Sequence, residues 1–156
     1  MKTDSVLKPN FLEKFLGSGF YSGYFPFAPG TAGSFLAMLF YFIPGFENLY
    51  IILPAIIIFF LFGLVTGTKF ESFYGKKDPS QCTIDEVVGM WISLVLVPKH
   101  LNYIILSFII WRIFDIIKPF PAGNAEKLKG GLGIMLDDVI AAIYSFIVVH
   151  IILTFI

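Results

Sequence analysis

An all-helical, polytopic membrane bundle is the fold class this sequence predicts, and three observations carry the prediction. Of 156 residues, 57% are hydrophobic, 18% aromatic and only 14% charged, where ordinary soluble domains have about 45–50% apolar and about 25% charged residues. The mean hydropathy is +0.84. A soluble domain of this length leaves about 30% of its unfolded surface in water, and 19 Phe, 7 Tyr and 2 Trp would have to avoid that surface. Finally, the apolar residues are gathered into five runs separated by short polar loops, as expected where lipid is the solvent.

Residues 49–68 (LYIILPAIIIFFLFGLVTGT) contain no charge, and at 1.5 Å per residue they match a hydrocarbon layer of about 30 Å. Residues 101–117 and 136–156 are similar in length. The runs 33–43 and 87–97 are shorter and end at Pro44 and Pro98, residues that interrupt helices. This short pair is expected to tilt, to extend into its loops or to lie partly inside the bundle. Residues 1–16 mix Lys2, Lys8 and Lys14 with Asp4 and Glu13. Their apolar pieces are too short for a cleaved signal sequence, and Phe11, Leu12, Phe15 and Leu16 suit an interfacial segment. Residues 1–156 are thus expected to form one membrane-embedded domain.

Five crossings put the N-terminal segment and the 69–86 and 118–132 loops on one side. Counting Arg112 near its helix end, ten of the 11 Lys and Arg residues fall on that side and only Lys99 on the other, so the positive-inside bias makes the first side cytoplasmic. Net charge is zero and Arg112 is the single arginine, which excludes the basic stripe that a nucleic-acid partner requires. The lone Cys82 has neither a disulfide partner nor metal-site spacing, and Arg112 lies too far along the chain to serve a cysteine phosphatase loop. His100 and His150 are expected on or near the far face, which argues against phosphohistidine chemistry.

Ionisable groups beside apolar segments are functional candidates, and they gather at the cytoplasmic ends. Asp85 and Glu86 open the third run, Asp115 lies inside the fourth between Arg112 and Lys118, and Asp137 and Asp138 lie in the first turns of the fifth. Each has a structural explanation too. Thr83 to Glu86 reads as a capping box, Arg112 and Asp115 share a helix face as an ion pair, and Lys118 before Pro119 can snorkel to water. Adjacent Asp137 and Asp138 repel unless a cation lies between them. Together the carboxylates suit a hard divalent cation, Arg112 and Lys118 suit phosphate oxygens, and the glycines at 17–33 and 130–133 suit an anion cradle. That inventory points to metal-assisted phosphoryl chemistry at the membrane surface.

The runs Gly17-Ser18-Gly19-Phe20, Ser22-Gly23-Tyr24 and Ala28-Pro29-Gly30-Thr31-Ala32-Gly33-Ser34, with Ile84-Asp85-Glu86-Val87-Val88-Gly89-Met90-Trp91, Arg112-Ile113-Phe114-Asp115-Ile116-Ile117-Lys118-Pro119-Phe120-Pro121 and Gly130-Gly131-Leu132-Gly133-Ile134-Met135-Leu136-Asp137-Asp138, resemble phosphatidylglycerophosphatase A in order and spacing. The resemblance covers residues 17–145. Tyr21 and Phe25 stand where smaller residues are more usual in that family, and Ala142 where a Gly often follows. The resemblance implies a Mg²⁺-dependent phosphatase of the bacterial cytoplasmic membrane that converts phosphatidylglycerophosphate to phosphatidylglycerol and inorganic phosphate. On this reading Asp85, Glu86, Asp137 and Asp138 hold Mg²⁺, and Arg112 and Lys118 grip the phosphate. Asp115 is base, ligand or orienter of Arg112. Thr31, beside Gly30 and with Ser34 and Ser22 behind it, offers a hydroxyl to the phosphate or to a metal-bound water. The rival classes are an ion or proton-coupled transporter, a phosphatidyltransferase or other lipid phosphomonoesterase, and a scaffold, while a homo-oligomer is left open. The transporter is disfavoured because its acids belong near the midplane, and the transferase because its Asp-Gly and Ala-Arg run is missing from the sequence.

Overall fold

The computed structural model describes residues 8–156, and among these every regular element is helical. The order is α1 (Phe11–Gly17), a 3₁₀ turn (Ser22–Tyr24), α2 (Pro29–Phe40), α3 (Leu49–Tyr74), α4 (Ile84–Leu94), α5 (Leu101–Ile117), α6 (Ala122–Ala125) and α7 (Gly131–Leu153). The five apolar runs each become a helix. Two of them, α3 and α7, are long and apolar enough to cross a membrane. Part of the expected N-terminal segment, residues 1–7, lies outside the described residues. Its second half forms α1, opened by a capping box in which Asn10 and Glu13 bond each other's backbone N–H at 2.9 Å. Lys69 of α3 pairs with Glu13 and fixes α1 to the bundle.

Helix bounds depart from the apolar runs because apolarity marks contact with lipid or core, whereas a helix continues until its backbone is stopped. The third helix passes beyond Thr68 through a polar turn to Gly75, whose φ of +61° closes it. The last begins at Gly131, five residues before its apolar run, because Thr68 Oγ1 accepts the Gly131 N–H at 2.9 Å. Both shifts place polar residues on regular helix, where their directions are fixed.

The buried α4 is the centre of the bundle, packed by α7, α2, α3 and α5. Its Trp91 donates to the Ala37 carbonyl at 3.0 Å, and Trp111 of α5 donates to Ser34 Oγ at 2.9 Å. Both indoles therefore tie their helices to α2. The absence of a side chain at Gly89 admits the Trp111 ring, since a Cβ there would lie 2.3 Å from it. Deeper in the bundle, Ser93 of α4 and Ser145 of α7 share a buried hydrogen bond of 2.6 Å. The outward surface of α3 carries exposed Ile57, Ile58, Leu61 and Val65, as a lipid-facing helix should.

Candidate functional site

Four helix ends meet at one end of the bundle. The first turn of α4 supplies Asp85 and Glu86, the last two turns of α5 supply Arg112 and Asp115, the second turn of α7 supplies Asp137 and Asp138, and the first two turns of α2 supply Gly30 and Ser34. All four helix-borne aspartates are buried, Asp137 and Asp138 to within 2% exposure. The expected capping box at Thr83 does not form. Thr83 instead shares its hydroxyl with Ser22 at 3.0 Å, because Glu86 is drawn into the site by stronger, charged partners.

Glu86 Oε2 accepts from Ser34 Oγ at 2.8 Å and from Arg112 Nη1 at 2.5 Å. The same Nη1 lies 2.8 Å from Asp115 Oδ2, so the expected pairing of Arg112 with Asp115 is present. Gly30 passes so close that a Cβ would lie 2.1 Å from Glu86 Oε1 and 3.6 Å from Arg112 Nη2. A side chain at this position would displace the Glu86 carboxylate from its place against Ser34 and Arg112. On the other side, Lys118 at the end of α5 pairs with Asp137 and reaches Glu126 at 4.0 Å.

One oxygen each of Glu86, Asp115 and Asp138 lie within 4.8 Å of one another. Of the four acids expected to ligate Mg²⁺, the structure thus brings Glu86 and Asp138 together, adds Asp115, turns Asp137 to Lys118 and leaves Asp85 alongside. Among the described residues, Asp85 Oδ1 and Asp138 Oδ2 are buried without a hydrogen-bond partner. Buried, unpaired carboxylate oxygens are costly unless a cation satisfies them, so this donor set fits a hard divalent ion.

These groups surround a cavity of about 210 Å³ lined by Pro29, Gly30, Ser80, Thr83, Asp85 and Glu86, with Asp78, Asp115, Lys118 and Asp138. Asp78 is a site residue that the sequence reading missed. It sits at φ +44° in the loop between α3 and α4, and its N–H donates to Glu71 Oε1 at 3.2 Å. Burial raises its pKa, against the pull of Lys118. The Lys118 ammonium is itself partly desolvated, but Asp138 and Asp137 outweigh that and hold it firmly charged. Cys82 also lines the cavity, and burial pushes its thiol up, which agrees with the exclusion of a thiolate nucleophile. Thr31 faces elsewhere, into an apolar groove on the outer side of α2. His100 and His150 stand on the parts of α5 and α7 farthest along the helix from the acids.

The sequence model of the family described as phosphatidylglycerophosphatase A matches residues 15–153. The chain belongs to that family. A Haemophilus influenzae phosphatidylglycerophosphatase A is 39% identical over 155 residues, covering 96% of this chain and 91% of the relative. The Escherichia coli phosphatidylglycerophosphatase A is 32% identical over 132 residues, covering 83% and 77%. A Bacteroides thetaiotaomicron protein with the provisional name phosphatidylinositol-3-phosphatase is 44% identical over 150 residues, covering 91% and 94%. No solved structure matches. Within this phosphatidylglycerophosphatase A family chain, Asp-Glu on α4, Arg-x-x-Asp-x-x-Lys on α5 and Asp-Asp on α7 are the segments that converge on the cavity.

Proposed function

We propose that this chain is a Mg²⁺-dependent phosphatidylglycerophosphatase, releasing inorganic phosphate and leaving phosphatidylglycerol in the membrane. The observation that carries the reading is the meeting of Glu86, Asp115 and Asp138 within 4.8 Å beside Arg112 and Lys118. Glu86, Asp115 and Asp138 would hold the ion, whose charge offsets that of the phosphate oxygens. Arg112 Nη2, beside Gly30, and the Lys118 ammonium bind the remaining oxygens. Asp137 orients Lys118, and Ser34 orients Glu86. Asp85, next to the triad and with a free oxygen, accepts a proton from the attacking water. The water oxygen bonds to phosphorus as the ester P–O bond breaks, and the proton taken up by Asp85 passes to the leaving head-group oxygen, which departs as the alcohol before the phosphate is released.

The ten basic residues on the side that holds the acids support a multi-pass chain of the bacterial cytoplasmic membrane with its site facing the cytoplasm. A second head group is favoured by the Bacteroides relative, phosphatidylinositol 3-phosphate. The cavity's chemistry argues for the smaller one, because an inositol ring carries hydroxyls that need partners. Beyond the charged groups, its side-chain hydroxyls are those of Ser80 and Thr83.

The deciding experiment is phosphate release by detergent-purified protein from phosphatidylglycerophosphate, phosphatidylinositol 3-phosphate and phosphatidic acid, with Mg²⁺ and with chelator. Release from the first lipid alone, lost on chelation and lost in Asp138→Asn at unchanged purified yield, is the expected result. Faster release from the inositol lipid would move the assignment to that substrate, and release by Asp138→Asn at the normal rate would refute the shared acidic site.

A further inference from the structure

We infer that an acyl chain of the lipid substrate lies in the apolar groove on the outer side of α2, and that this groove sets the pose of the head group. The inference rests on the phosphatase reading above. The groove measures about 790 Å³ and is lined by Phe25, Phe27, Phe35, Leu36, Leu39 and Phe108, among others. That volume lies within the roughly 300–1,000 Å³ of sites that hold small ligands.

Its position relative to the acids decides the occupant. Ala28 and Thr31 line the groove, whereas Pro29 and Gly30, the two residues between them, line the acidic cavity. A single helical turn, rising about 5 Å, is therefore the partition between an apolar trough and a cavity that suits a metal and a phosphate. An amphiphile with a phosphate at one end and a hydrocarbon tail at the other fits both sides of that turn at once. Bulk lipid has no reason to favour this trough over the exposed face of α3. The phosphomonoester lipid does, because its head group is held a few ångströms away.

A chain passing from membrane to groove stays in an apolar medium, so the groove contributes position rather than driving force. Orientation of a bound phosphate is where such a contribution acts on rate. Thr31, at the partition and facing the groove, is placed to meet the glycerol ester region rather than the phosphate.

The test compares a long-chain phosphatidylglycerophosphate, at fixed mole fraction in detergent, with a soluble glycerol phosphomonoester that lacks acyl chains. Two variants fill the groove, Ala32→Phe near the partition and Leu39→Trp two turns away. Both should lower kcat/KM for the long-chain lipid by about tenfold or more and leave the soluble monoester within about twofold. A dihexanoyl lipid should feel Ala32→Phe but not Leu39→Trp, a gradation that a merely structural defect would not produce. Unchanged kinetics on the long-chain lipid in both variants, with wild type active, would overturn the groove assignment and leave bulk lipid as the occupant. A change of oligomeric mass with no change in substrate preference would assign the groove to a second copy and also overturn it. Failure of wild type to release phosphate from either substrate would instead strike the phosphatase reading.

Discussion

Arg112 shows how much one residue settles at this site. Its Nη1 bridges Glu86 and Asp115, while Nη2 lies beside Gly30 on the cavity wall. A planar guanidinium can address three directions at once, and an ammonium cannot. Arg112→Lys should therefore keep the positive charge yet lose roughly 100-fold in kcat/KM, about 2.7 kcal/mol of transition-state stabilisation, as phosphate-release kinetics will report. The site's charged residues were mostly legible in the sequence, because an acid beside an apolar run needs a reason to be there. Asp78 was not, since Lys77-Asp78-Pro79-Ser80 has the composition of any solvated turn, and only the packing of the loop over the cavity reveals it. Thr31 stands out for its place beside Gly30 in a glycine-rich stretch, and spacing alone tells neither that the stretch opens α2 nor which side of that helix the hydroxyl faces.

At the scale of elements, close packing of helices against α4 is what holds the acids in register. Gly89 meets the Trp111 ring so closely that a Cβ would lie 2.3 Å from it. Gly89→Ala should force α4 and α5 apart at a cost of about 1–3 kcal/mol, measurable as a lowered thermal midpoint in detergent. Activity should fall with it, because Glu86 and Asp115 sit on the two helices being separated. The clasp of α1 gives a pH-dependent prediction. The hydrogen bond from Lys69 lowers the Glu13 pKa from its ordinary 4.5, with the Asn10 N–H adding to the effect against the opposing influence of burial. A lowered carboxylate pKa stabilises the fold above the unfolded value, and that contribution is lost as pH falls through the folded one. Glu13→Gln should thus melt below wild type above pH 4.5, with the difference narrowing and then vanishing on further acidification. Helix existence followed from the apolar runs, but helix ends did not. Gly75 and the Thr68 bond to Gly131 set them, and neither leaves a hydropathy signal.

For the whole molecule, the balance of charge around the cavity governs stability as well as reaction. Among the described residues, Asp78, Asp85, Glu86, Asp115, Asp137 and Asp138 have Arg112 and Lys118 as their nearby cations. A divalent ion that binds the folded chain should raise its unfolding midpoint, by about 2.7 kcal/mol of stabilisation at one hundred times Kd. Mg²⁺ titrations followed by thermal unfolding should show this rise in wild type, little of it in Asp138→Asn, and reversal by chelator. This readout does not depend on turnover. The central place of α4 also bears on how the chain is made. That helix carries two acids, spans only 11 residues and leans most heavily on α7, which the ribosome delivers later. Until α7 arrives, the acids of α4 have no complete enclosure. Because α7 both covers α4 and carries Asp137 and Asp138, the enclosure of the α4 acids and the completion of the acidic site are reached in the same event, the docking of α7.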